Sequence, residues 1–133
     1  MTMSRARFRW AAALAGAAVL TQTAPAQAGA PAEPAGSYLL TVAPEGGSAA
    51  TKTLRCDPDG GTLRSAARAC AQLAGADGHV SRIPPENGPC TMEHAPVRVR
   101  ADGRWRGEPR RFSRTYSNRC VAVRETGGVL FAE

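Results

Sequence analysis

Four cysteines, Cys56, Cys70, Cys90 and Cys120, set the strongest limit on what this chain can fold into. An even count in an exported chain reads as two disulfides, and four cysteines allow three pairings. Zinc is a poor fit. The gaps of 14, 20 and 30 residues contain no C-x-x-C pair, and His79 and His94 do not stand at ligand spacing. No metal and no cofactor are expected.

Export is itself a reading of the first residues. Arg5, Arg7 and Arg9 form a positive segment, Trp10 to Leu20 is an apolar run, and Ala26-Gln27-Ala28 is a small-x-small cleavage site. Residues 1–28 therefore read as a secretory signal peptide, because the run is too short for a stable transmembrane anchor. The product would be secreted and extracellular, with no membrane contact after cleavage. Of the 133 residues, 105 remain, enough for one domain with a modest core. Three of the 17 basic residues leave with the signal and none of the 11 acids, so the net charge falls from +6 to +3. That charge with few aromatics does not make a nucleic-acid binder, which needs stacking rings and a recognisable module.

Residues 29–36 are rich in Pro, Ala and Gly and read as a flexible tail, leaving 37–133 as the folded domain. Ser37 to Val42 and Thr51 to Cys56 read as strands, with a turn cluster at Asp57-Pro58-Asp59-Gly60-Gly61. A helix follows. Thr62 is placed to cap it, Leu63, Ala66, Ala67, Cys70, Leu73 and Ala74 form its apolar face, Gln72 faces away, and Gly75 ends it. A Cys56–Cys70 bridge would pin that helix to the end of the second strand. Val97 to Ala101 alternates apolar and charged residues, Asp102-Gly103 signals a turn, and Arg110 to Tyr116 returns. Gly127-Gly128 precedes a final expected strand at Val129 to Ala132. The residues thus read as about five short strands and one clear helix, an α+β layer.

Between Gly88-Pro89 and Pro96 lies Cys90-Thr91-Met92-Glu93-His94-Ala95, a loop punctuated at both ends. On spacing alone it is a stapled surface loop. No enzyme site stands out: there is no G-x-S-x-G, no H-E-x-x-H and no phosphate-cradling glycine loop. The chain does carry a set of motifs in order. They are Thr53-Leu54-Arg55-Cys56, Gly60-Gly61, Ala69-Cys70-Ala71-Gln72-Leu73, Cys90-Thr91-Met92, Pro96-Val97, Asp102-Gly103-Arg104-Trp105-Arg106-Gly107 and Ser117-Asn118-Arg119-Cys120.

This series resembles the Streptomyces subtilisin inhibitor family of secreted serine protease inhibitors, from about Tyr38 to Phe131. The resemblance implies a five-stranded antiparallel sheet with helices packed on one face and disulfides Cys56–Cys70 and Cys90–Cys120. It implies no enzymatic activity. It places a reactive bond between Met92 and Glu93, in a loop of Cys90, Thr91, His94, Ala95 and Pro96 braced by Asn118. The implied partners are extracellular subtilisin-type proteases, chymotrypsin-like ones as well, and a second copy in a homodimer. The chain departs from the family pattern at Glu93, usually small or apolar, at His94, often aromatic, at Ala95, often an acid, and at Thr62-Leu63, usually His-Pro. Arg98 and Arg100 would weaken a dimer formed through the sheet. The alternative function is a secreted cationic binding module that keeps the scaffold with weak or lost inhibition.

Overall fold

The computed structural model describes residues 24–133. The expected signal peptide lies, through residue 23, outside the described residues. Among the described residues no helix is long and apolar enough to cross a membrane.

Residues Ala32–Glu133 form one compact unit. Its five-stranded sheet has the order β3-β2-β1-β4-β5, all antiparallel. The strands are β1 (Gly36–Pro44), β2 (Ala50–Cys56), β3 (Gly60–Gly61), β4 (Val97–Trp105) and β5 (Glu108–Tyr116). Two helices, α1 (Ala66–Gly75) and α2 (Arg119–Glu125), complete the fold. Period-two alternation sends Tyr38, Leu40 and Val42 of β1, Leu54 and Cys56 of β2, and Val97, Val99, Ala101 and Trp105 of β4 to one buried face. Ala66, Ala69, Cys70 and Leu73 of α1 and Ala122 of α2 are buried with them in one core. The small side chains of α1 let it lie close to β2. At the margin of this core the Tyr38 hydroxyl donates to the Gly78 carbonyl at 2.8 Å, and burial pushes its pKa up to about 12.

Both disulfides are formed, Cys56–Cys70 and Cys90–Cys120. The fold class matches expectation, but several local features differ. Gly60–Gly61, expected to be wholly turn, pairs with Leu54 and Arg55 as β3. Thr62 does not cap α1: its Oγ1 accepts from the Thr53 amide at 2.9 Å, so it belongs to the sheet edge. Ser65 is the N-cap residue and makes no side-chain cap bond. Glu133 instead holds the chain just ahead of the helix, its carboxylate accepting the Arg64 and Ser65 amides at 3.1 Å each. Gln72 does not simply face solvent but donates to the Gly127 carbonyl at 2.6 Å.

Asp102-Gly103 is not a turn but lies inside β4. Gly103 is required there by crowding, since a Cβ would come within 2.0 Å of the Ser37 carbonyl oxygen. The hairpin turns instead at Arg106-Gly107, both with positive φ (48° and 82°), as a two-residue connection demands. The expected last strand is absent. Val129, Leu130 and Phe131 are buried under the sheet without pairing to it, and helix α2, implied by the resemblance but not located from the residues, precedes them.

Candidate functional site

The segment from Pro84 to Pro96 has no regular structure and joins α1's side of the molecule to β4. From Thr91 to Ala95 every residue is exposed. Met92 is 98% exposed, while the other large apolar side chain found exposed among the described residues, Leu39, is 47% exposed. Leaving a methionine in water forgoes about 1.5–3 kcal/mol of burial, which a partner's pocket would recover.

The loop is held from below rather than by its own packing. Asn118 is 5% exposed and sits where β5 passes into α2. Its Oδ1 accepts from the Val121 amide at 2.9 Å, capping α2. Its Nδ2 donates to the Thr91 carbonyl at 3.0 Å and the Glu93 carbonyl at 2.9 Å. The cap fixes which end of the amide faces the loop, because only Nδ2 can donate to carbonyls. The carbonyls on either side of Met92 are therefore fixed, and the Met92 side chain projects between two anchors.

Five further contacts clamp the flanks. Cys90–Cys120 ties the loop's start to α2, with Cα atoms 5.7 Å apart. The Ala95 amide donates to the Ser117 carbonyl at 2.8 Å, and the Glu45 amide donates to the Pro96 carbonyl at 2.9 Å. Upstream, the Glu86 amide donates to the Arg124 carbonyl at 2.8 Å, while the Arg124 guanidinium donates back to the Asn87 carbonyl. Cys90, Thr91, Met92, Glu93, His94, Ala95, Pro96 and Asn118 thus come together in one place. Ser117, Glu45 and Arg124 were not foreseen. The first two act through their backbones, which carry no sequence signal, and Arg124 is one arginine among many.

The arrangement offers a displayed backbone and no catalytic group. His94 is exposed, and His79 lies away from the loop between α1 and a short 3-10 turn at Val80–Arg82. Cys56, Asp59 and Cys70 have ligand-type atoms within 4.8 Å of one another, but the two sulfurs are bonded to each other and are not thiolates.

A protein from Streptomyces coelicolor described as a subtilase-type protease inhibitor is 43% identical over 117 residues, covering 81% of this chain and 78% of its own. Subtilisin inhibitor-like protein 2 of Streptomyces rochei is 39% identical over 106 residues, covering 74% and 90%. Among solved structures, Streptomyces caespitosus sermetstatin, in complex with Bacillus licheniformis subtilisin, superposes with a TM-score of 0.55 at 28% identity. The match covers 68% of this chain and 91% of that one. Residues 34–118 match the model of the family described as subtilisin inhibitor-like, and the chain belongs to that family.

Proposed function

We propose that this protein is a secreted inhibitor of subtilisin-type serine proteases that presents the Met92–Glu93 bond as a substrate-like loop. The observation that carries the reading is the double hydrogen bond from Asn118 Nδ2 to the carbonyls flanking a fully exposed Met92. Such a loop pairs with a protease edge in extended form, and fixing it beforehand reduces the entropy lost on association. If the enzyme acylates at Met92, the new amine of Glu93 stays tethered through Ala95, Pro96 and β4. The acyl half stays tethered through Cys90–Cys120. High effective concentration then favours resealing of the bond over hydrolysis.

Methionine is unbranched and apolar, so Met92 suits broad hydrophobic specificity pockets, of subtilisin-like and also chymotrypsin-like enzymes. The sermetstatin–subtilisin complex supports the partner class. Secretion follows from the leader at residues 1–28, with 29–36 as a tail and 37–133 as the inhibitory domain. The homodimer implied by the family would set the outer sheet face, with Arg98 and Arg100, against its own copy. The inhibitory unit proposed here is the single chain.

Titrating subtilisin with the mature protein tests the reading. Stoichiometric, slowly reversible loss of activity is expected, with mass spectrometry of the complex at low pH finding a fraction nicked between Met92 and Glu93. Rapid digestion without inhibition would defeat it. Met92→Lys should move preference toward trypsin; unchanged subtilisin and trypsin inhibition would remove Met92 from the specificity position.

A further inference from the structure

The sheet face turned away from the helices carries Arg55 on β2, Arg98, Arg100 and Arg104 on β4, and Arg111 on β5, all exposed. Asp102 is the one acid among the outward residues of these strands, and it pairs with Arg100 at 3.5 Å. This face therefore holds +4, more than the +3 of the whole chain after residue 28. The remainder of the chain is close to neutral, so the protein's positive character is concentrated here.

The charges are also ordered. Outward residues on β4 recur every second position, about 6.8 Å apart. Arg98 and Arg100 lie in line with Arg104, and Arg111 pairs across from Asp102, at the one interruption of the row. Three guanidinium groups of β4, with Arg111 of β5 beside the gap, thus follow the strand direction for about 20 Å. Two are pre-aimed: Arg98 Nε donates to Thr115 Oγ1 at 3.3 Å and Arg104 Nη1 to the Gly107 carbonyl at 2.9 Å, leaving their other N–H groups free. Such forks match phosphate oxygens.

We infer that this face binds a linear, base-free phosphodiester polymer of the cell exterior, of the polyol-phosphate class. A nucleic acid would want stacking rings, and all five aromatic residues after residue 28 lie on the helix side of the sheet or in the core. A protein partner would want apolar anchors, and Leu39 alone offers one. A second copy would bring like charges together. The function is separate from the protease loop and would keep the inhibitor near the surface where proteases act.

The test is binding of the mature protein to poly(glycerol phosphate) at several NaCl concentrations, alongside subtilisin inhibition and sedimentation. Binding should weaken roughly 50-fold between 50 and 200 mM salt, a log–log slope of about −3 for four phosphate contacts. The R98Q/R100Q/R104Q variant should bind at least about tenfold more weakly with a slope shallower by about two, and should inhibit subtilisin as before. Asp102→Asn should bind several-fold more tightly, because it frees Arg100. No binding at 50 mM salt, no change in the triple variant, tighter binding to oligo(dT), or a salt-insensitive dimer at micromolar concentration would each overturn the inference. Loss of inhibition with intact polymer binding would count against the protease loop and not against this face.

Discussion

The two disulfides close 14- and 30-residue separations in opposite surroundings. Cys56 and Cys70 are buried, at 2% and 6% exposure, in a core where α1 already packs on β2. Cys90 and Cys120 are only partly covered, and the loop they tether has no buried side chain from Thr91 to Ala95. The first bridge adds to packing that exists without it. The second stands in for packing that is absent. One covalent bond thus serves stability in the core and preorganisation at the surface.

Removing each bridge should separate these roles, and the effects on inhibition should be the largest in the molecule. Cys90→Ser with Cys120→Ser releases the loop's start, and about 3 kcal/mol of lost preorganisation corresponds to roughly 100-fold weaker inhibition. Cys56→Ala with Cys70→Ala should lower unfolding free energy by about 3 kcal/mol while leaving inhibition unchanged below the unfolding transition. Inhibition constants and urea unfolding of both pairs check this. Equal loss of inhibition in the two would dissolve the distinction.

Asn118 sharpens it, because one side chain serves both regions. Asn118→Asp keeps the acceptor for the Val121 amide and loses both donors to the loop. At about 1 kcal/mol per bond, inhibition should weaken roughly 30-fold, with faster cleavage at Met92–Glu93. Its melting temperature should fall as well, because a carboxylate oxygen then faces the Thr91 and Glu93 carbonyls at a buried position. Asn118→Ala avoids that repulsion but loses the cap and about 1 kcal/mol of stability. Indistinguishable kinetics of the aspartate variant would mean the two loop bonds are idle.

The core region was legible in the sequence where one period dominated. The alternation from Val97 to Ala101 describes a face that is buried as read, and so do Leu63, Ala66, Cys70 and Leu73 at α1, whereas Ala67 and Ala74, read onto the same helix face, are exposed. Reading failed where a local signal had a long-range cause. Gly103 looks like a turn residue, but its lack of a side chain answers the Ser37 carbonyl on β1. Gly127-Gly128 looks like the turn before a strand, yet both glycines, at φ 90° and 80°, end α2. Their amides donate to the Arg124 and Val123 carbonyls. Val129 to Phe131 is apolar because it is buried, and burial does not require strand pairing. The loop was legible through resemblance and through its punctuation by Cys90 and Pro96. Its backbone clamps at Ser117, Glu45 and Glu86 were not, since an amide is the same in every residue.

Glu93 tests the exposed side of the comparison on a smaller scale. Its carboxylate, moved to a partly desolvated interface, costs about 1 kcal/mol unless the enzyme supplies a cation. Glu93→Gln should therefore tighten subtilisin inhibition by about fivefold, with no change in melting temperature. Weaker inhibition by the variant would show that the carboxylate is paired in the complex.

The smallest effect belongs to the core side, at Glu133. Its carboxylate accepts the Arg64 and Ser65 amides and the Ser65 hydroxyl, and it lies 3.9 Å from Lys52 Nζ and 3.4 Å from Arg64 Nε. The Arg64 amide, first among these, holds its pKa below the ordinary glutamate value of 4.5. A carboxylate with a depressed folded pKa contributes stability above its unfolded pKa and loses it as pH falls through the folded one. Glu133→Gln should thus lower the melting temperature by about 1–2 °C at pH 7, and the gap to wild type should close as pH falls below the ordinary glutamate range. Inhibition should not change, since Glu133's partners, Lys52, Arg64 and Ser65, all lie outside the loop. A melting gap that persisted at low pH would mean that Glu133 acts by shape rather than by charge.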